Sequence, residues 1–370
     1  MNMRKRSFLP DLAVAALLVV ALPAANAAGL LSDYYLNLLG KYLSLGILAI
    51  AMNLIWGYTG ILSLGQAVFF GLGAYSAGMH MLMESSGSGV YGERIPDFMV
   101  WNQVTELPLF WKPYGHFPFA LASALLLPAL VAFVLGLVTF RRRVAGVYFS
   151  ILTQAIAFAA WLMFNRNEMK LGGTNGLTDF KSVLGFSLGD PRTQRWLYVI
   201  TALVVVLLLV LSRWLVASKM GLVLTAVRDQ EQRLEFLGYP LPSYKIFVFA
   251  LAAAISGLAG ALYVPQVGII TPSQVGVLPS LEIVVWVAVG GRGTLLGPLL
   301  GAVGTNAARS ILTARYPEWW PIILGSLFIA MVLLFEGGLM GLPGQIRWGW
   351  QRLVSRVRDR MAASGAETAV

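Results

Sequence analysis

Ten apolar stretches, separated by more polar segments, constrain the fold of this 370-residue chain more than any single motif. They are read at 8–28, 34–56, 61–83, 117–139, 144–164, 195–216, 245–265, 281–291, 294–312 and 320–338. Most approach the ~20 residues that a helix needs to cross the hydrocarbon core of a bilayer. In hydrocarbon every backbone N–H and C=O must be satisfied internally, and an α-helix does this within one segment. The expected fold is therefore all-α, a polytopic transmembrane helical bundle of about ten spans. Only 12% of the residues are charged and the mean hydropathy is +0.73, whereas soluble domains carry roughly 25% charged residues. The eighth stretch is short for a crossing and ends in Gly290-Gly-Arg-Gly-Thr294, which predicts a tilted, broken or re-entrant element. Gly57-Tyr-Thr-Gly60 reads as a tight turn at the membrane face between the second and third spans.

Ten crossings threaded from a cytoplasmic N-terminus place seventeen of the 27 basic residues inside. These are Arg4, Lys5, Arg6, Arg141, Arg142, Arg143, Arg213, Lys219, Arg228, Arg233, Lys245, Arg292, Arg347, Arg352, Arg356, Arg358 and Arg360. The outer side is then close to neutral, and the net charge of +10 lies on the inner side, as the positive-inside rule requires. Arg309 and Arg315 fall outside in this threading and fit it worst. Residues 1–28 also match a signal peptide, with a basic start, an apolar middle and Ala-Asn-Ala27 as a cleavage site. Cleavage would leave nine spans in the same orientation; the near-bilayer length of the apolar run favours retention. Residues 1–345 form the membrane domain, and 346–370 a basic cytoplasmic tail. Arg352, Arg356 and Arg360 share a helical face beside Trp348 and Trp350, which suits anionic lipid headgroups and indole anchoring rather than nucleic acid.

The composition leaves little room for catalysis. Cysteine is absent and the two histidines, His80 and His116, are far apart, so neither a thiolate nor a histidine-based metal site is expected. No Gly-x-x-x-x-Gly-Lys-Ser/Thr loop occurs, so any ATP would be bound by another chain. The spans hold a thin polar set: Asn53, Gln66, Thr153, Gln154, Gln266, Asn306 and the carboxylate Glu282, with Glu336 expected to reach the headgroups. A polar group in hydrocarbon must face protein or water. Single Asn or Gln side chains commonly join helices, whereas an ionisable Glu282 demands a partner or a wet cavity. Gly65, Gly71, Gly73, Gly78, Gly257 and Gly260 permit close helix contact and equally permit helices to shear. The outer loops 84–116 and 165–194 are polar; Leu171-Gly-Gly-Thr-Asn-Gly176 in the second reads as an ordinary turn or as a docking or gating loop.

One polar segment, 219–245, interrupts the apolar series. Met220, Val223, Val227, Leu234 and Leu237 form a stripe at helical spacing. Asp229, with Gln232 three residues on, reads as a capping box. Gly238 can supply a left-handed terminus, and Pro240 and Pro242 forbid continuation. A helix lying on lipid should present a lysine-rich face; Asp229, Glu231 and Glu235 beside Arg228 and Arg233 make this one mixed, which suits a protein partner.

These residues resemble the cytoplasmic coupling segment of ABC-importer permeases of the branched-chain amino-acid and urea family. The likeness rests on Ala226-Val-Arg-Asp-Gln-Glu231, Glu235-Phe-Leu-Gly238 and Tyr244-Lys245. It extends to Asn53-Leu-Ile-Trp-Gly-Tyr-Thr-Gly-Ile-Leu-Ser-Leu-Gly-Gln66, Phe70-Gly-Leu-Gly-Ala-Tyr75, Gly172-Gly-Thr-Asn-Gly-Leu177 and Ser256-Gly-Leu-Ala-Gly-Ala-Leu262, and covers roughly 34–345. Tyr263–Ser273 and Glu282–Thr294 look like the urea-type permease, while Phe236-Leu237 departs from the small residues that importer loops carry after the glutamate. The resemblance implies a bacterial inner-membrane protein with both termini cytoplasmic. It further implies a heterodimer with a second homologous permease, two cytoplasmic ATPases and a periplasmic binding protein, with ATP held by those partners and no cofactor on this chain. Arg228, Asp229, Glu231, Glu235 and Gly238 would form the coupling surface. Glu282, Gln266, Gln154, Asn53, Gln66 and Asn306 would be pathway candidates. Urea fits a set in which Glu282 and Gln266 accept from amides while Gln154 or Asn53 donates to a carbonyl. A zwitterionic amino acid would need an intramembrane cation, which the chain does not reveal. Branched-chain or other amino acids remain the alternative cargo, and a passive urea or water channel or a secondary carrier the alternatives of another class.

Overall fold

The computed structural model describes residues 9–86, 95–104, 106–334 and 337–341. The basic residues before 9, Glu336 and the tail 346–370 lie outside them. The chain is all-α and polytopic. Near its start, α1 (Leu9–Ala16) and α2 (Leu22–Ala27) are joined by a π-helical stretch, Leu17–Ala21. There follow α3 (Asp33–Thr59), α4 (Gln66–Ser85), the short α5 (Asp97–Trp101), α6 (Phe117–Arg141), α7 (Val147–Phe164) and α8 (Pro191–Ala217). After α9 (Lys219–Phe236) come α10 (Leu241–Val267), α11 (Val277–Gly290), α12 (Gly297–Arg315) and α13 (Trp320–Leu334). Every one of the ten apolar stretches is thus helical over most of its length. Among the described residues, five helices are each long and apolar enough to cross a membrane alone: α3, α6, α7, α8 and α10.

Burial sorts these helices into a centre and a shell. Between Leu43 and Ile55 nearly every side chain of α3 is buried, and α10 packs beside it. The outer faces of α6, α7 and α8 expose Leu126, Leu130, Val138, Ile151, Phe158 and Leu207, as lipid-facing surfaces do. On α8, Trp196 and Trp214 are both 67% exposed. Their spacing puts them on one helix face about 27 Å apart, close to the ~30 Å of a bilayer core and matching two interfacial aromatic belts. Glycine brings the inner helices into contact: a Cβ on Gly73 would collide with the Gly257 carbonyl, and one on Gly260 with that of Phe70. The close-packing reading of these glycines therefore holds at the α4–α10 seam.

Several expectations are corrected. Gly57–Thr59 belong to α3; the chain reverses after Gly60, whose φ of +74° gives α3 a left-handed terminus. Residues 61–65, assigned to the third span, are not helical, and α4 starts only at Gln66. Gln66 meets Ala252 and Ser256, roughly 16–22 Å along α10 from its first residue, so α4 begins deep in the bundle. Irregular backbone at such depth is tolerated only where protein satisfies it. Here the Ser150 hydroxyl donates to Leu62 O (2.8 Å), Leu64 N donates to Thr153 Oγ1 (2.9 Å) and Ala67 N donates to Ser280 Oγ (3.2 Å). The α11 helix has 14 residues, or about 21 Å, the broken element that its sequence predicted; it returns at once as α12.

The end away from α9 is less loop-like than its composition suggests. Met99 and Trp111 in 84–116 are fully buried. Within 165–194, β1 (Leu177–Thr178) pairs antiparallel with β4 (Ile269–Ile270) just beyond α10, and β2 (Ser182–Val183) pairs with β3 (Phe186–Ser187). Gly176, at φ +70°, lies so close to the Ile270 carbonyl that no Cβ would fit. The glycine loop is thus a packed connection onto α10.

Candidate functional site

Five helices, α3, α4, α10, α11 and α12, converge on a polar cavity of about 440 Å³. Each presents one face. On α12, Asn306, Arg309, Ser310 and Thr313 follow an i, i+3, i+4, i+7 pattern; α11 contributes Glu282 and Trp286, α3 contributes Lys41 and Tyr42, and α10 contributes Tyr263. The central interaction is an ion pair, Arg309 Nη1 to Glu282 Oε2 at 2.7 Å. The Glu282 side chain is 9% exposed and that of Arg309 44%, so the carboxylate is enclosed while the guanidinium borders the open space. Arg309 also lies 5.9 Å from the Trp320 ring centroid, within cation–π range. Around the pair, Tyr42 OH donates to Ser310 Oγ (2.6 Å) and Gln274 Nε2 donates to Tyr263 OH (3.1 Å).

The pair corrects two expectations together. Arg309, which fell on the outer side of the threading, is an intrabundle cation whose placement the Glu282 carboxylate explains. An intramembrane cation therefore exists, with Lys41 in the same cavity. Of the missed residues, Arg309 and Ser310 carried a signal, a polar i, i+3, i+4, i+7 face on a helix read as a span, whereas Lys41 on α3 carried none.

The six pathway candidates separate. Glu282 and Asn306 share the cavity, where Asn306 Nδ2 donates to Ala302 O (2.9 Å). Gln66 joins α4 to α10, donating to Ser256 Oγ at 2.6 Å. Gln266 joins α10 to α8, donating to Thr201 Oγ1 at 2.6 Å. Asn53 ties α3 to the α11–α12 turn, and Gln154 is half-buried on α7, away from the cavity lining.

At one end of the bundle α9 lies across the last turn of α3. Its start is capped by Ser218, whose hydroxyl accepts from Gly221 N (3.3 Å). This corrects the assignment of the cap to Asp229, whose carboxylate instead accepts from Arg228 Nε at 2.8 Å. The helix breaks at Gln230 (φ −154°, ψ 70°). Before the break Gly221, Leu224 and Val227 are buried and after it Leu234 is half-buried, but Leu237, expected on the same stripe, lies just past the helix end and is 73% exposed. The C-terminal expectation holds, since Gly238 is left-handed (φ +81°), Tyr239 N donates to Leu234 O (3.2 Å) and Gly238 N donates to Glu235 O (3.0 Å), the two bonds of a Schellman end. Arg228 Nη1 donates to Gly57 O (2.8 Å), Lys245 pairs with Glu231 (2.5 Å), and Arg143 with Glu235 (2.9 Å). Beyond these ties Phe236, Leu237 and Tyr239 project outward, Phe236 being 91% exposed.

A multi-pass helical bundle with a central polar cavity and a short amphipathic helix folded across one end is the architecture of a membrane transport component. Residues 34–332 match the family described as branched-chain amino acid transport system, permease component, and the chain belongs to that family. It is 25% identical over 316 residues to the high-affinity branched-chain amino acid transport system permease protein LivM of Escherichia coli K12, covering 80% of this chain and 67% of the relative. The LivM of Salmonella typhimurium matches to the same extent. The autoinducer 2 import system permease protein LsrC of Yersinia pestis (strain Pestoides F) is 32% identical over 143 residues, 36% of this chain and 40% of that protein. No solved structure matches.

Proposed function

We propose that this chain is an inner-membrane permease subunit of an ATP-driven ABC importer, forming half of its translocation pathway, with urea as the cargo. The observation that carries the transport reading is α9. A mixed-charge helix tied by Arg228 to α3 and ending in the exposed apolar residues Phe236, Leu237 and Tyr239 suits a soluble protein partner better than lipid. With no phosphate-binding loop in the chain, that partner is an ATPase, present in two copies. A second, homologous permease completes the pore, and a periplasmic protein delivers the cargo to the end opposite α9.

Urea is supported by the resemblance of 263–294, a stretch that supplies Tyr263, Ser273, Gln274 and Glu282 to the cavity. These groups offer acceptors for amide N–H and donors for a carbonyl. A cavity of about 440 Å³ falls in the range that holds drug-sized ligands, so urea would cross it as a vestibule. The Glu282–Arg309 pair favours a second reading, an amino acid, since anion and cation together can match a zwitterion, and LivM is named for branched-chain amino acids. Uptake of labelled urea and leucine in cells with the gene deleted and restored decides between them. Loss of urea uptake with leucine uptake intact supports the urea assignment, and the opposite pattern overturns it. Uptake that persists after ATP depletion overturns the ABC assignment.

A further inference from the structure

The end of α3 is a junction where it meets the α11–α12 turn through Asn53 and α9 through Gly57. Asn53 Nδ2 donates to Thr294 O and Gly293 N donates to Asn53 Oδ1, both at 2.8 Å. The side chain thereby grips both polar groups of the backbone in the α11–α12 turn. That turn is held in an unusual shape, with Gly291 at φ +111° and Gly293 at φ +75°. One helical turn further along α3, Gly57 O accepts from Arg228 of α9. Gly57 also fits so tightly that a Cβ there would lie 2.6 Å from Gly293 N. Arg292 in the same turn stacks 5.5 Å from the Trp56 ring centroid.

Both arms leaving the turn lead to the cavity. Glu282 stands eight residues before Gly290 on α11, about 12 Å away, and Arg309 lies on α12, so the two halves of the ion pair sit on the two arms of one hairpin. We propose that Asn53 is a positioning residue that clamps the α11–α12 hairpin to α3, so that displacement of α9 reaches the Glu282–Arg309 pair through the turn. The proposal rests on the reading that α9 receives the ATPase stroke. A bidentate grip from a buried side chain (3% exposed) suits this task, because two bonds fix both the position and the tilt of the turn. Glue between two helices would need only one.

The chain has no cysteine, so a single Thr313→Cys on the cavity wall reports cavity exposure to a membrane-impermeant maleimide in the assembled, membrane-embedded complex. Asn53→Ala removes both bonds; Asn53→Asp keeps an acceptor for Gly293 N but loses the donor to Thr294 O, and serves where the alanine variant fails to insert. Expected are a several-fold change in the labelling rate of Thr313→Cys and a fall in cargo transported per ATP hydrolysed of about fivefold or more, with ATP hydrolysis retained and the aspartate variant intermediate. Unchanged labelling and unchanged transport per inserted molecule, with only less protein in the membrane, overturns the proposal. Altering Gly238 tests the α9 reading separately. If uptake ignores Gly238 while labelling still responds to Asn53, α9 is not the ATPase contact but the clamp stands.

Discussion

Removing either partner of the Glu282–Arg309 pair gives an unequal result that stems from their exposure. Truncating one partner of a fully buried pair costs about 3–5 kcal/mol, because the remaining charge is left unpaired away from water. In Arg309→Met the survivor is Glu282, 9% exposed, and most of that penalty applies; Lys41 on the same cavity gives partial relief, leaving about 2 kcal/mol. In Glu282→Gln the survivor is Arg309, 44% exposed, which water can solvate, so the loss is about 1 kcal/mol or less. The double variant removes both charges and recovers about 1–2 kcal/mol relative to the sum of the single changes, as expected of groups in contact. The assay is thermal unfolding of the purified protein in detergent, where Arg309→Met should lower the midpoint by roughly 3–5 °C and Glu282→Gln by clearly less. Equal losses for the two single variants, or strict additivity in the double, would refute the claim that an enclosed carboxylate depends on a half-exposed guanidinium.

Three other substitutions probe the end of α9, the lipid face and the irregular segment. A Cβ at Gly238 meets nothing within 4 Å, so Gly238→Ala carries only the left-handed backbone penalty of about 1–2 kcal/mol; α9 should fray at its tip and uptake should fall with insertion unchanged, measured as uptake per inserted molecule. Leu207 on α8 is 64% exposed and lies between the two tryptophans, and Leu207→Arg should raise the insertion free energy by about 2.5–3.5 kcal/mol, read as the inserted fraction of glycosylation-tagged protein. Thr153→Val removes the acceptor for Leu64 N from the irregular 60–65 segment, which should cost about 1–3 kcal/mol, seen as a lower unfolding midpoint with α7 still inserted.

The helical series was legible because hydropathy alone forces it: a run such as 195–216 has no other way to satisfy its backbone in lipid, and α8 spans Pro191–Ala217. The glycine end of α9 was legible for a local reason, the left-handed conformation that Gly238 adopts without cost. The break at Gln230 was not, since a single non-helical residue leaves no composition signal, and the stripe was carried one residue too far, to Leu237 beyond the helix end. Residues 61–65 escape sequence reasoning on similar grounds: Ile61, Leu62 and Leu64 are as apolar as any helix, and their non-helical backbone is held by a pair of hydroxyls 88 and 89 residues away.

The pathway residues failed for a different reason, which makes the misplaced charges informative. Asn and Gln are flagged by polarity alone, yet polarity does not tell a side chain that bonds to a neighbouring helix, as Gln66 does to Ser256, from one facing open space. A charge that breaks the positive-inside pattern does carry that distinction, because its cost in lipid has to be met by a specific partner. Arg309 was such an exception, with Asn306, Ser310 and Thr313 beside it on one helix face and one unexplained intramembrane carboxylate in the preceding span. Solving for the partner of Glu282 among the charges that fit the threading worst would have led to Arg309, and through Arg309 to the face of α12 that lines the cavity. In a bundle of this kind the exceptions to the topology rule, more than the polar inventory, point to where the interior is wet.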